Sequence, residues 1–437
     1  MKRQVIILLS AVMATLAADA QVTFTGTRVI ETRPAASTGL AAVYTLENGG
    51  NATITYTSGG GNVVWQRYSN MGGGYAENVT PTRDGNNYSL PAGNGDMGYI
   101  ITEGGRQTCF WVTDYAHHAF DTHAFAVTES GCDRVYFTPD RPTDEIAYYT
   151  VNGRREVLDR DIQLNYYTLE YDEESNSYVQ IRTTETYEAL GSTFSAPAPF
   201  CDTQFILTPD HFARQWGLSD EVAGPNFNTS AVALHSSAEQ IPRGGDNEQK
   251  VEAELGGSAP CEIRFSAAVT DAAVFRRWEM SQYAEFQDVT YTYEQLDFTY
   301  TFLEAGTTYV RFVANNAEGT CEQIGDTYTV TVGDSRLECP NAFSPGASEG
   351  VNDEWKVSYR SIVSFDCRIF NRWGQCLAHL TDPSQGWDGR HGGKVVGSGV
   401  YFYVIKARGA DGKEYNLSGD INIIGSRDSG AAAAPVE

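Results

Sequence analysis

Basic side chains are scarce in this chain of 437 residues, 31 Lys and Arg against 56 Asp and Glu, for a formal charge of −25. A field of that sign repels nucleic acid and anionic lipid and suits a solvated exterior, with divalent cations as counter-ions. Histidine is also rare, seven in all, and no Cys-x-x-Cys occurs, which disfavours metal binding by the cysteines. The sequence contains no His-Glu-x-x-His, no Gly-x-Ser-x-Gly, no P-loop and no Gly-x-Gly-x-x-Gly in a strand-to-helix setting. Paired carboxylates occur throughout so acidic a chain, and none stands out as a catalytic couple. The reading is therefore of a protein that is not an enzyme, with a secreted hydrolase of unrecognised site as an alternative.

Long apolar runs are missing except one. Lys2 and Arg3 precede the stretch Val5 to Ala18, which ends in Ala18-Asp19-Ala20. A run too short to span a bilayer, with a small-x-small end, predicts a signal peptide over residues 1–20, cleaved before Gln21. Cleavage removes two basic and one acidic residue and leaves a charge of −26. Export makes the eight cysteines candidates for disulfides, and eight permit 105 connectivities. Local position favours Cys261 with Cys321, Cys367 with Cys376, and Cys109 with Cys132. Cys201 and Cys339 are left to pair across domains or to stay reduced. Closing the loop of about 60 residues between Cys261 and Cys321 would be worth roughly 4 kcal/mol.

What the chain does have is alternation. Tyr, Phe and Thr recur in period-two runs punctuated by Gly, as in "NATITYTSGGGNVVWQRYSNMGGGYAENV", which predicts an all-β protein of tandem immunoglobulin-like sandwiches. One short helix is expected through "TPDHFARQWG", with Thr208 as N-cap, Pro209 in the first turn and Gly217 as stop. Boundaries follow the polar and Gly-rich interruptions: a β-sandwich over 21–130, a second β-rich domain over 131–243, a third sandwich over 244–334, a terminal domain over 337–425, and a small-residue tail over 426–437.

The third domain resembles divergent PKD-like and related immunoglobulin-like sandwiches. Thr299, Tyr300, Thr301, Phe302, Gly306, Tyr309, Val310, Phe312, Val313 and Asn315 follow their strand order, and Trp278 takes the place of the buried strand tryptophan. The Trp-Asp-Phe-Gly-Asp-Gly signature is replaced by "RRWEMSQY", so no ligand role of that loop carries over.

Seven ordered motifs mark the terminal domain: "PNAFSP", "GVND", "IFNRWG", "GWDG", "GVYFYVIKA", "DGKEY" and "SGDINII", between Pro340 and Ile424. Together they resemble the gliding-motility-associated C-terminal domain, the type B sorting domain of type IX secretion. The resemblance implies export through that system, an outer-membrane β-barrel partner, and a location at the cell surface or outside the cell in association with the outer membrane. It implies recognition through Asn371, Arg372, Trp373, Gly374, Trp387, Asp388, Gly389, Tyr401 and Tyr403. Along the late strand Val400, Phe402 and Val404 fall on one face and Tyr401, Tyr403 and Ile405 on the other; both are apolar, so one is expected to meet something besides its own core. The loop "PGASEGVND" replaces the family's Asn-Gly-Asp-containing turn and leaves Glu349, Asn352 and Asp353 as weak calcium candidates; no other cofactor is expected.

A second constellation, "TDYAHHAFDTHAF", gathers His117, His118 and His123 with Asp114 and Asp121. Their spacing fits neither a helix pair nor a hairpin pair of metal ligands, and a solvated loop is expected. Upstream sandwiches are read as binding or structural units for a glycan or protein ligand. The alternative is an accessory component of the secretion or gliding machinery.

Overall fold

The computed structural model describes residues 22–93, 95–249, 253–346, 350 and 352–424. The expected signal peptide, the tail and Glu349 lie outside the described residues. Among those described, no helix is long and apolar enough to cross a membrane. The chain divides into two compact units, one of the residues up to Thr168 with Ile181–Asn228, the other of Leu169–Gln180 with Thr229 onward.

The first unit opens with two facing sheets. One has the strands Val22–Thr25, Thr53–Thr57, Asn87–Pro91 and Thr82–Asp84; the other has six strands, with Arg106–Asp114 between Ala42–Leu46 and Met97–Glu103. Their inner faces bury Ile54, Tyr56, Trp65, Tyr99, Ile101 and Phe110 as one cluster. Aromatic burial of this size is the dominant stabilising term of such a sandwich. At the mouth of this sandwich Glu103 gathers three donors: Ser58 Oγ at 2.5 Å, Gly61 N–H at 2.8 Å and Tyr56 Oη at 2.7 Å. The Ser58 and Tyr56 hydroxyls and the Gly61 amide hold its carboxyl down at about 2. A depressed folded value contributes stability above the unfolded value of about 4.3, lost as pH falls through about 2. Hydrogen-exchange protection at the Gly61 amide is expected to fall across that window, and Glu103→Gln to lack the step; identical acid profiles for the two proteins would refute the clamp.

The next sandwich packs Phe125–Ser130, Arg134–Pro139 and Phe194–Pro197 against a four-stranded sheet ordered Ser177–Tyr187, Ile162–Asp172, Thr203–Thr208, Val222–Phe227. Three strands facing four, in this order, is an immunoglobulin-like arrangement. The one described α-helix, His211–Trp216, starts at Asp210, whose carboxylate accepts from Ala213 N–H at 2.8 Å. Thr208, the expected cap, lies in the strand before it and donates to Glu221 at 3.1 Å. A carboxylate two residues closer to the first turn reaches the orphan N–H groups that Thr208 cannot. The same Asp210 pairs with Arg160, both side chains fully buried.

In the second unit a three-stranded sheet of Leu234–Gln240, Cys261–Val269 and Phe298–Phe302 faces a six-stranded one containing Phe275–Ser281, Val289–Tyr293, Gly306–Asn315 and Tyr328–Val332. Leu255–Gly257 adds to Tyr328–Val332 in parallel. In Cys261–Val269 the residues Cys261, Ile263 and Phe265 are buried and Glu262 and Arg264 exposed, the period-two pattern made physical. Trp278 is fully buried, 5.4 Å from Phe265 and 5.0 Å from Phe312 between ring centres.

The expected cysteine pairs are not formed. Cys109, Cys261, Cys367 and Cys376 carry thiols, whereas Cys132 and Cys321 are disulfide-bonded. Cys367 lies opposite Leu380 and Cys376 opposite Phe370, with a register shift between. That places one thiol in the core and the other on the outer face, too far apart to bridge. Cys109 sits mid-strand, opposite Ile100 in the six-stranded sheet, and Cys261 faces Phe302 inside its sandwich.

Candidate terminal recognition module

Residues 336–424 build a five-stranded sheet in the order Ala342–Phe343, Glu414–Ile423, Gly399–Gly409, Ile362–Phe370, Cys376–Leu380. Only the first pairing is parallel. Against one face lies a core of Trp355, Val357, Tyr359, Phe365, Cys367, Ile369, Trp387, Ile405 and Ile421. Trp387 enters this core from a turn. It exchanges two backbone hydrogen bonds with Trp355, at 2.8 and 3.0 Å, and its Nε1–H donates to Arg390 O at 3.0 Å. Asp388 accepts from Arg390 N–H at 3.0 Å, closing the turn. Gly389 has φ +71°, and a side chain there would press on Phe343 and Pro345 at 3.3 Å. The Gly-Trp-Asp-Gly motif is thus a folding device, with its tryptophan only 3% exposed.

The Asn371–Gly374 turn behaves oppositely. Asn371 Oδ1 accepts from Trp373 N–H and Gln375 N–H, each at 3.0 Å, and Gly374 N–H donates to Asn371 O at 3.0 Å. Gly374 adopts φ +81°, which favours glycine. The turn holds Trp373 outward, 75% exposed, with the Arg372 guanidinium 4.2 Å over its ring. An exposed tryptophan under a cation is a costly surface feature that a folding role does not explain.

The two faces of Gly399–Gly409 also differ. Tyr401 packs on Trp387 at 5.4 Å and Tyr403 on Trp355 at 5.2 Å; both point into the core side. Val400, Phe402 and Val404 point out, exposed by 49, 44 and 44%. Beside them on the outer face lie Phe370, opposite Phe402, and Arg368, opposite Val404. Of the residues implied by the family resemblance, Arg372 and Trp373 stand on the surface, while Trp387, Tyr401 and Tyr403 face inward. The outward set of Val400, Phe402 and Val404 was visible in the alternation, but period two does not say which face is covered.

Asp353 closes the loop after Phe343, its two carboxylate oxygens accepting from Gly346 N–H at 2.8 Å and Gly350 N–H at 2.6 Å. Asn352 takes φ +55°, and both residues line a shallow cleft with Phe343 and Lys356. Among the described residues no group of three or more His, Cys, Asp or Glu is arranged to hold a metal. The histidine-rich stretch is dispersed accordingly: His118 Nε2 meets Asp96 at 2.6 Å, His117 Nδ1 lies 3.6 Å from Asp114, and His123 Nδ1 meets Asp121 O at 2.6 Å.

Comparison with known families matches residues 337–423 to the CHU_C type IX secretion signal domain and residues 125–224 to the fibronectin type III domain. A comparison with curated proteins finds no match. Among solved structures, the tetra-tandem repeat from the extending region of a large adhesion protein is similar over 87% of this chain and 98% of its own, at 12% identity and a TM-score of 0.21. The FN1–FN3 domains of chicken CNTN1 are similar over 69% and 98%, at 10% identity and a TM-score of 0.23. Dimeric latent PorU from Porphyromonas gingivalis is similar over 73% and 35%, at 11% identity and a TM-score of 0.15. Likenesses this distant bear on neither ligand nor partner.

Proposed function

We propose that this is a secreted cell-envelope protein, taken across the outer membrane by the type IX secretion system through its terminal module, with the upstream sandwiches acting as binding or structural units at the surface. The observation that carries this reading is the match of residues 337–423 to a type IX secretion signal domain. The fold supplies the physical counterpart: buried Trp355 and Trp387 with half-buried Tyr401 and Tyr403 packed on them shape the module, and an exposed set of Trp373, Phe402, Val400 and Val404 is left unused by folding. We assign the exposed set to contact with the secretion machinery, including an outer-membrane β-barrel partner. Tryptophan and arginine are the residue types most enriched where protein contacts are energetically dominant.

The test compares three chains in a host that has the system. The full chain is expected outside the cell or on its surface, and a chain ending at Ser335 in the periplasm. The double variant Trp373→Ala, Phe402→Ser touches no core residue, so it is expected to keep its near-ultraviolet circular dichroism. Its surface fraction should fall about tenfold, the effect of removing one hot-spot contact. Surface appearance of the truncated chain would refute the reading.

A further inference from the structure

The terminal module carries a strand that its own segment does not supply. Arg336–Glu338 and Ser358–Arg360 form a two-stranded sheet, which leaves the far edge of Ser358–Arg360 open. Residues 243–249, which follow the first strand of the third sandwich, Leu234–Gln240, run along that edge. Gln249 N–H donates to Tyr359 O at 2.7 Å and Tyr359 N–H to Asn247 O at 3.2 Å, a parallel bridge centred on Glu248 and Tyr359. The side chains reinforce it. Asn247 Nδ2 donates to Val357 O at 2.7 Å and to Pro383 O at 2.8 Å, spending both of its N–H groups on two separate segments of the module. Gln249 Nε2 reaches Ser358 Oγ at 2.9 Å, and Lys356 Nζ meets Asp246 at 3.1 Å.

This edge is anchored elsewhere too. Glu248 accepts from Ser258 Oγ at 2.6 Å, and Ser258 Oγ in turn accepts from Ser361 N–H at 2.8 Å. Ser361, in a left-handed conformation at φ +50°, donates its hydroxyl to Gly333 O at 2.6 Å. Tyr359 between these contacts is 1% exposed and belongs to the module's core. Removing the upstream residues would leave the Tyr359 N–H and the Val357, Tyr359 and Pro383 carbonyls without these partners, and unpaired buried backbone groups are avoided in folded proteins.

We infer that Arg243–Gln249 is a structural part of the secretion signal: a strap that completes the module's fold, so that the unit read by the export machinery extends beyond residues 337–423. The inference rests on the export reading for its functional half and on the hydrogen bonds alone for its structural half. Asn247 is a positioning residue in this sense, acting through Tyr359 and Pro383 rather than through contact with a partner.

The test uses the full chain in three forms: unaltered, with residues 243–249 replaced by a Gly-Ser sequence of equal length, and with Asn247→Ala. Each is assayed for proteolysis within residues 337–424 and for the fraction delivered outside the cell. Strap replacement is expected to speed cleavage in the module at least tenfold, leave the 261–332 sandwich resistant, and lower delivery at least tenfold. Asn247→Ala is expected to move both readouts in the same direction by a smaller factor. Unchanged protection of the module in both variants would overturn the inference. Lost protection with undiminished delivery would support the strap as a structural element, overturn its place in the signal and leave the export reading standing, because an opened module would then still serve as the address.

Discussion

Replacing Trp387 with Ala is expected to cost the terminal module about 3–5 kcal/mol, the range for truncating a buried aromatic to a methyl group. Little in the surroundings can collapse into the space. Phe343 packs on one side at 5.6 Å and Tyr401 on another at 5.4 Å, and Trp355 is tied to the same backbone by two hydrogen bonds. The indole N–H is also lost from Arg390 O, so the turn that begins at Asp388 loosens with the core. Domains of this size are stable by only about 5–15 kcal/mol, and a loss of this size removes much of that margin. Hydrogen exchange in the strand Gly399–Gly409 should accelerate by at least a hundredfold, with the first unit unaffected and surface delivery reduced about tenfold or more. A Trp387→Ala chain with native exchange rates in that strand would show that the core tolerates the cavity and that its tryptophan was misassigned.

Asp210→Ala is the second large effect, in the first unit. Arg160 and Asp210 are both fully buried, with Arg160 Nε donating to Asp210 Oδ2 at 2.9 Å. Arg160 also donates to Asp144 O at 2.6 Å and His118 O at 2.7 Å. Asp210 accepts from Tyr115 Oη at 2.9 Å and caps the helix through Ala213 N–H. Deleting the carboxylate removes the counter-charge of a buried guanidinium, takes away the acceptor of the Tyr115 hydroxyl and uncaps a helix together. Breaking a buried pair on one side typically costs about 3–5 kcal/mol. Replacing both partners by apolar residues costs far less, because no uncompensated charge remains. The double variant Arg160→Met, Asp210→Ala is therefore expected to be more stable than Asp210→Ala alone. Exchange rates in Thr203–Thr208 and His211–Trp216 give the measurement, and equal losses in the single and double variants would refute the ion-pair account. Burial pushes the Tyr115 hydroxyl well above its ordinary range, and Asp210 beside it adds to the effect.

How far the sequence reached can be judged residue by residue. The all-β architecture was legible because period-two burial is a local property, as in Cys261–Val269. The Asn371–Gly374 and Gly386–Gly389 turns are equally local: their conformation depends on residues a few positions apart. What failed was long range or vectorial. Cys367 and Cys376 are close in sequence but separated by a register shift that depends on how two strands pair. Tyr401 and Tyr403 were implied as recognition residues by the family resemblance alone, and alternation divides a strand into two faces without saying which one Trp355 and Trp387 cover. The helix cap lies at Asp210 rather than Thr208 because the helix begins at His211, where the Asp210 carboxylate reaches Ala213 N–H. The strap was invisible, since Asn247 and Val357 are 110 positions apart and nothing in "GGDNEQ" reads as a strand.

The strap also changes how the second unit bears tension. Residues 243–249 are bonded directly to the module, ahead of the strands between Leu255 and Val332. A pull entering at Arg243 and leaving at Ile424 therefore passes through the Glu248–Tyr359 bridge and bypasses those strands, which are slack as long as the bridge holds. The intervening fold is a reserve of contour length, released only after the strap has sheared.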